Sequence, residues 1–168
     1  MKRSLVFLSL CCVLMVGLWS VNAAATNFAG TWALDKSKSE GLQGPMAQMD
    51  VTLTVTQDAK TLTTETKYSG GQQEMPAQKA TYNLDGSPTT VEMGGRMPGQ
   101  ATLTAKWQGD GKILELTSVQ KMNVQGNDVT RTTTAHWELA DGGKTLKVHR
   151  VSEGRQGPQE SKLVYVKK

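Results

Sequence analysis

The residues with the clearest chemical potential are two arginines on the apolar side of alternating segments. Arg131 shares its face with Ala135 and Trp137, and Arg150 shares its face with Leu146 and Val148. A buried guanidinium is costly unless it meets an anion or several acceptors. Neither segment has an Asp or Glu on the same face. Because the planar fork of arginine binds both oxygens of a carboxylate, the pattern predicts that Arg131 and Arg150 receive a ligand carboxylate.

Aromatic residues complete this candidate ligand-binding set. Tyr68, Tyr82 and Tyr165 offer hydroxyl groups, and Trp107 and Trp137 are core residues on the same apolar side. The alternative is that one arginine packs over a tryptophan ring while the other reaches solvent at a rim.

Other chemistries have little support in the sequence. His136 and His149 lie on the polar face of adjacent segments, and two histidines without a third ligand make a poor metal site. The sequence has no Gly-x-Ser-x-Gly elbow, and no helix follows the glycine-rich stretch at residues 94–99. We therefore expect no enzymatic activity, no metal and no cofactor.

The elements that must position these residues are strands. Segments such as 51–56, 61–68 and 101–107 alternate in polarity, and Asp-Gly pairs separate several of them. One apolar and one polar face is typical of antiparallel sheet. About ten strands laid flat would leave exposed edges, which closure removes. The pattern predicts an all-β antiparallel meander closed into a barrel of about 8–10 strands; a two-sheet sandwich is the competing architecture.

The predicted barrel has an interior of limited size and one segment that is not a strand. A barrel of this size has room for its own side chains or for one small ligand. Only residues 37–49 lack strand character, and their Ser, Gly and Pro content predicts a loop with at most one helical turn.

The first 23 residues have the three-part pattern of a secretory signal. Lys2 and Arg3 precede an apolar run at residues 5–19, and small residues end at Ala23. The run of about 15 residues is short of the roughly 20 that span a bilayer; an uncleaved anchor or a buried helix is the alternative. We expect a signal peptide at 1–23, one domain at 24–168, cleavage near Ala23, and a periplasmic or secreted protein without stable membrane insertion.

Removing this segment changes what the chain can do. Both cysteines, Cys11 and Cys12, are lost, so disulfides and thiolate sites are excluded. Losing Lys2 and Arg3 leaves 17 basic residues against 15 acidic ones, and the net charge falls from +4 to +2. That charge is too mild to indicate a nucleic-acid partner. The sequence does not indicate an oligomeric state.

The start of the predicted domain carries a family resemblance. Gly30-Thr31-Trp32, within residues 27–35, resembles the Gly-x-Trp signature of lipocalins and other calycins, and residues 36–39 continue as in exported bacterial lipocalin-like proteins. The resemblance implies that Gly30 and Trp32 close one barrel end, with Arg150 or Arg131 packed across the tryptophan. The lipocalin C-terminal helix and disulfide are absent. Fatty-acid-binding proteins, with a similar Arg and Tyr cluster, are closer in strand number, but their helical lid has no obvious counterpart.

Two classes of function remain open at this point. The first is a binding barrel outside the cytoplasm that holds a small hydrophobic or amphiphilic ligand, including one with a carboxylate. The second is a non-enzymatic structural or interaction protein whose barrel is filled by its own side chains, or an inhibitor of an extracellular enzyme. Fold alone does not decide between them.

Overall fold

The computed structural model describes residues 25–71, 75–93, 98–124, 126–154 and 157–168. The predicted signal peptide at 1–23 and the predicted cleavage site at Ala23 lie outside the described residues. Ten strands are present in the described ranges: β1 Gly30–Leu34, β2 Asp50–Gln57, β3 Thr61–Ser69, β4 Gln78–Asn83, β5 Thr89–Met93, β6 Gly99–Gln108, β7 Ile113–Val124, β8 Asn127–Ala140, β9 Thr145–Gly154 and β10 Gly157–Lys167.

The strands form one antiparallel sheet that curls into a nearly closed barrel. Their spatial order is β4-β3-β2-β1-β10-β9-β8-β7-β6-β5, so every described ladder joins strands that are neighbours in sequence except the one between β1 and β10. Strands β4 and β5 form the two ends of the sheet, and no described ladder joins them. The predicted all-β meander barrel is thus confirmed, and the chain does not form the sandwich.

Alternation sends one set of side chains into the barrel. Trp137 stands opposite Leu114 on one side and Val148 on the other, and all three are buried. One end of the barrel, here called the aromatic end, is filled by Phe28, Trp32, Trp107 and Trp137. The ring of Phe28 stacks on Trp107 at 6.1 Å between centroids and meets the edge of Trp137 at 5.8 Å. The indole N–H of Trp32 donates to the carbonyl of Phe28 at 3.1 Å.

The opposite end, here called the mouth, carries the connection between β1 and β2. This connection, residues 35–49, holds a short 3-10 turn (Lys36–Lys38) and one helix, α1 (Pro45–Gln48), as its lack of strand character predicted. Its first half is paired with β10, because Glu40 and Lys162 exchange backbone hydrogen bonds of 2.8 and 3.0 Å. Its second half buries Met46 and Met49.

None of the helices in the described part of the chain has the length and apolar character that crossing a bilayer requires.

Candidate functional site

Arg150 lies in the middle of β9 and points into the barrel. It stands opposite Ala135 of β8 and Ser161 of β10. Its Nε donates to the hydroxyl of Ser161 at 3.2 Å, and its Nη1 donates to the thioether sulfur of Met46 at 3.5 Å. Both partners are buried. Among the described residues, no carboxylate lies within ion-pair distance of Arg150.

Two tyrosines share the surroundings of this guanidinium. Burial raises the pKa of Tyr68 and raises the pKa of Tyr165 far above its ordinary value, while the charge of Arg150 opposes the rise in both. Neither hydroxyl bonds to a described residue, yet no described side-chain oxygen or nitrogen is both fully buried and unpaired. Both hydroxyls therefore face space that solvent reaches. Arg150, Tyr68, Tyr165, Ser161 and Met46 are called the Arg150 cluster below.

The inner wall beside this cluster is also polar. Thr133 of β8 and Ser152 of β9 stand opposite each other, and their hydroxyls are 3.0 Å apart. Ser118 of β7 stands opposite Thr133 and continues this row. Ser161 is not among the residues predicted for the site, although it alternates with Leu163 and Tyr165 and is detectable by extending that face. Met46 carries no periodic signal, because α1 has only four residues.

Arg131 does not join the Arg150 cluster. Its position on β8 faces the same side of the sheet as Ala135, but its side chain is exposed. It lies beside Gly154, with Nε 3.8 Å from where a Cβ at that glycine would be. Gly154 is four residues beyond Arg150 on β9, about 13 Å at the usual rise of a strand. Alternation thus assigned the face of both arginines but not their height, and Arg150 is half-buried whereas Arg131 is exposed.

The remaining predicted site residues lie elsewhere in the barrel. Tyr82 of β4 is buried opposite Leu62, and burial raises its pKa. Trp107 and Trp137 belong to the aromatic end, packed against Phe28. The charge of Arg150 therefore acts on Tyr68 and Tyr165, whereas Tyr82, Trp107 and Trp137 make no described hydrogen bond or cation–π contact with the guanidinium.

Trp32 and Gly30 lie at the aromatic end beside Lys167, a neighbour that the sequence did not indicate. Trp32 is fully buried. The amine of Lys167 lies 5.2 Å from its ring centroid, so the implied role of Arg150 or Arg131 over this tryptophan is wrong. A Cβ at Gly30 would lie 2.9 Å from Cε of Lys167, and the φ of +146° is unfavourable for other residues. Glycine at position 30 leaves room for this lysine.

The two histidines meet on the outer face of the sheet. His136 and His149 are directly opposite, and their rings are 6.2 Å apart. Each Nε2 already lies beside a carboxylate, Glu115 at 3.0 Å and Glu160 at 2.8 Å. Within the described ranges, no group of three His, Cys, Asp or Glu side chains is arranged to hold a metal ion.

Two surface grooves lie outside the barrel interior. The larger, about 960 Å³, lies at the aromatic end among the turns that follow β2 and β4. Two of its polar side chains are already engaged: Gln57 bonds to the backbone of Phe28 and Thr26, and Asp58 accepts from two backbone N–H groups of its own turn. The smaller, about 360 Å³, contains the histidine pair. Neither groove reaches Arg150.

Comparison with known proteins supports the fold. The crystal structure of zebrafish ileal bile acid-binding protein, complexed with cholic acid, matches with a TM-score of 0.52 and 13% sequence identity, over 84% of this chain and 98% of that one. No family model matches the sequence, and no curated protein matches it. The likeness confirms the predicted calycin-type barrel, of the kind that fatty-acid-binding proteins have, and it shows the fold alone.

Proposed function

We propose that this chain is an extracytoplasmic barrel that binds one small amphiphilic molecule, with Arg150 receiving the ligand's anionic group. One observation carries the proposal: a guanidinium points into the barrel without a described carboxylate to pair with. Arg150 is half-buried, and a charge drawn even partly from water without a counter-ion is costly. A ligand anion would offset that cost, because charge-assisted hydrogen bonds are the strong ones.

The surroundings of Arg150 suit an amphiphile. The hydroxyls of Tyr68 and Tyr165 are free to donate to the same anion. The buried side chains of Val51, Leu53 and Leu103 offer apolar walls on other strands. The similar zebrafish protein was crystallised with cholic acid, a carboxylic acid, and this supports a ligand of the same general kind. The secretory pattern at residues 1–23 supports a site of action outside the cytoplasm.

The test compares two arginines of the same face. A dansylated undecanoic acid is titrated into the wild type, Arg150→Gln and Arg131→Gln, with fluorescence as the readout. We expect Arg150→Gln to weaken binding roughly ten- to hundredfold, because hydrogen bonds to a charged group are lost. Arg131→Gln is the matched control and should bind nearly as the wild type does, since its side chain is exposed.

A neutral probe sharpens the test. The corresponding dansylated undecanol should bind the wild type and Arg150→Gln alike, because it has no charge for the guanidinium to meet. Equal binding of the acid by wild type and Arg150→Gln would sink the carboxylate assignment.

A barrel filled by its own side chains remains the second candidate, and a specific observation favours it. The aromatic end is already occupied by Phe28, Trp32 and Trp137, all of which are buried. A ligand would then have to lie in the half of the barrel nearer the mouth. If no probe binds and the protein carries no adduct when isolated from its own host, this second candidate is the better description.

A further inference from the structure

One N–H group of the Arg150 guanidinium already donates a hydrogen bond to a methionine. The sulfur of Met46 accepts from Nη1 at 3.5 Å, across 104 residues of sequence. Met46 is only 6% exposed and belongs to the core cluster. A thioether is a weak acceptor. It is therefore a poor counterpart for a charge, and a stronger acceptor would be preferred at the same place.

The helix that carries Met46 has little stability of its own. α1 has four residues, its N-cap is Gly44 with φ of +56°, and no side chain caps it. Isolated helices much shorter than about 12 residues do not persist in water. α1 is therefore held in place mainly by the burial of Met46 and Met49, which pack into the mouth.

The connection between β1 and β2 is anchored unequally. Residues 35–41 are paired with β10 through the backbone of Glu40 and through Ser39, whose hydroxyl accepts from the Val164 N–H at 2.9 Å. The far end is fixed where Lys36 pairs with Asp50 at 3.1 Å. Residues 42–48 lie between these anchors. They make no backbone hydrogen bond to any described strand.

We propose that Met46 is an internal occupant of the ligand's anion site, and that residues 42–48 form a flap that releases Arg150 when an anion displaces the thioether. This inference rests on the proposed function. When the flap opens, residues 42–48 move away from the mouth. Residues 35–41 stay paired with β10, and the Lys36–Asp50 ion pair holds the other end of the connection. The apparent affinity for an anionic ligand is then the affinity of the open state multiplied by the fraction of molecules in which Met46 has released the guanidinium.

The test changes the acceptor while keeping the packing. Met46→Leu retains a side chain of similar volume but cannot accept a hydrogen bond, so the closed state loses its contact with Arg150. We expect it to bind dansylated undecanoic acid about three- to tenfold more tightly than the wild type. Met46→Gln supplies a stronger acceptor and should bind the acid more weakly. Met49→Leu is the matched control. Met49 is also buried, but it lies just after the flap and packs against Gly71, so this variant should leave affinity unchanged.

A second measurement uses the unaltered chain. With ¹³C-methyl methionine, the methyl resonance of Met46 should shift on saturation with the acid, and undecanol should shift it less. Equal affinities of wild type, Met46→Leu and Met46→Gln, or an unmoved Met46 resonance when the acid is bound, would overturn the flap. If instead Arg150→Gln binds the acid as wild type does, the proposed function itself fails, so the two failures are distinguishable.

Discussion

At the scale of single residues, the same side chain takes two roles according to its height in the barrel. Arg150 of β9 points inward beside Ser161 and Met46. Arg131 of β8 faces the same side of the sheet but is exposed near Gly154. The period of two along a strand assigns a face. Height along the barrel axis depends on how hairpins are registered against one another, and no single strand's sequence states it. The partner of Trp32 was missed for the same reason.

All three tyrosines of the chain provide a residue-scale test. Burial raises the pKa of Tyr68, Tyr82 and Tyr165 above the ordinary value of 10.0. Their neutral hydroxyls therefore contribute stability that is fully present below about pH 10 and is lost as the pH rises through the raised values. We expect tyrosinate absorbance in the folded protein to begin rising only above pH 10, together with loss of the β-sheet circular dichroism signal.

Tyr165→Phe is the informative variant, because Tyr165 has the largest rise. It should remove the last-titrating tyrosine and make the fold more resistant to alkali. A tyrosine that titrates at its ordinary pKa while the sheet stays intact would contradict the buried placement.

At the scale of elements, the strands and the irregular character of the β1–β2 connection follow from the sequence, but the burial of the methionines in that connection does not. The alternating segment at 51–56 lies within β2, and the segment at 101–107 lies within β6. Each strand had a repeated pattern and a turn at its end. The buried position of α1 had no such pattern, because two methionines in a four-residue helix and its cap do not define a face. The polar row of Ser118, Thr133 and Ser152 also needed the register between strands.

The anchor of this connection on β10 is tested at a glycine. Gly41 has φ of +66°, and a Cβ there would collide with the carbonyl oxygen of Glu160. Gly142 has a similar φ of +63° but open space around it. We expect Gly142→Ala to lower the free energy of unfolding by about 1 kcal/mol, from left-handed backbone strain alone. Gly41→Ala should lower it by about 2–4 kcal/mol, because overpacking is added to that strain.

Urea denaturation followed by circular dichroism measures both variants. Similar losses for Gly41→Ala and Gly142→Ala would mean that the packing of Gly41 against β10 is not tight.

At the scale of the whole molecule, two predictions can be tested directly: export of the chain and the presence of a bound ligand. We expect the protein from the periplasm or medium of its host to start near Ala24, without Cys11 and Cys12, as the secretory pattern predicts. Mass spectrometry under denaturing conditions gives the mature mass, and under native conditions it reports any bound molecule. A lipid-sized adduct favours the binding barrel. A full-length mass in the cytoplasmic fraction would contradict export.

The ladder between β1 and β10 has a consequence for how the chain folds. Of the described ladders, only the one between β1 and β10 joins strands that are distant in sequence, and it has three pairs, Trp32–Lys167, Ala33–Val166 and Leu34–Tyr165. All other described ladders link strands that are consecutive in sequence, and the longest connection among them is residues 35–49 between β1 and β2. Loop-closure entropy is therefore concentrated in one small ladder, which is expected to limit the folding rate. A circular permutant that begins at β5, joins residue 168 to residue 25 and ends at β4 would keep every ladder and turn this long-range pairing into one more local hairpin.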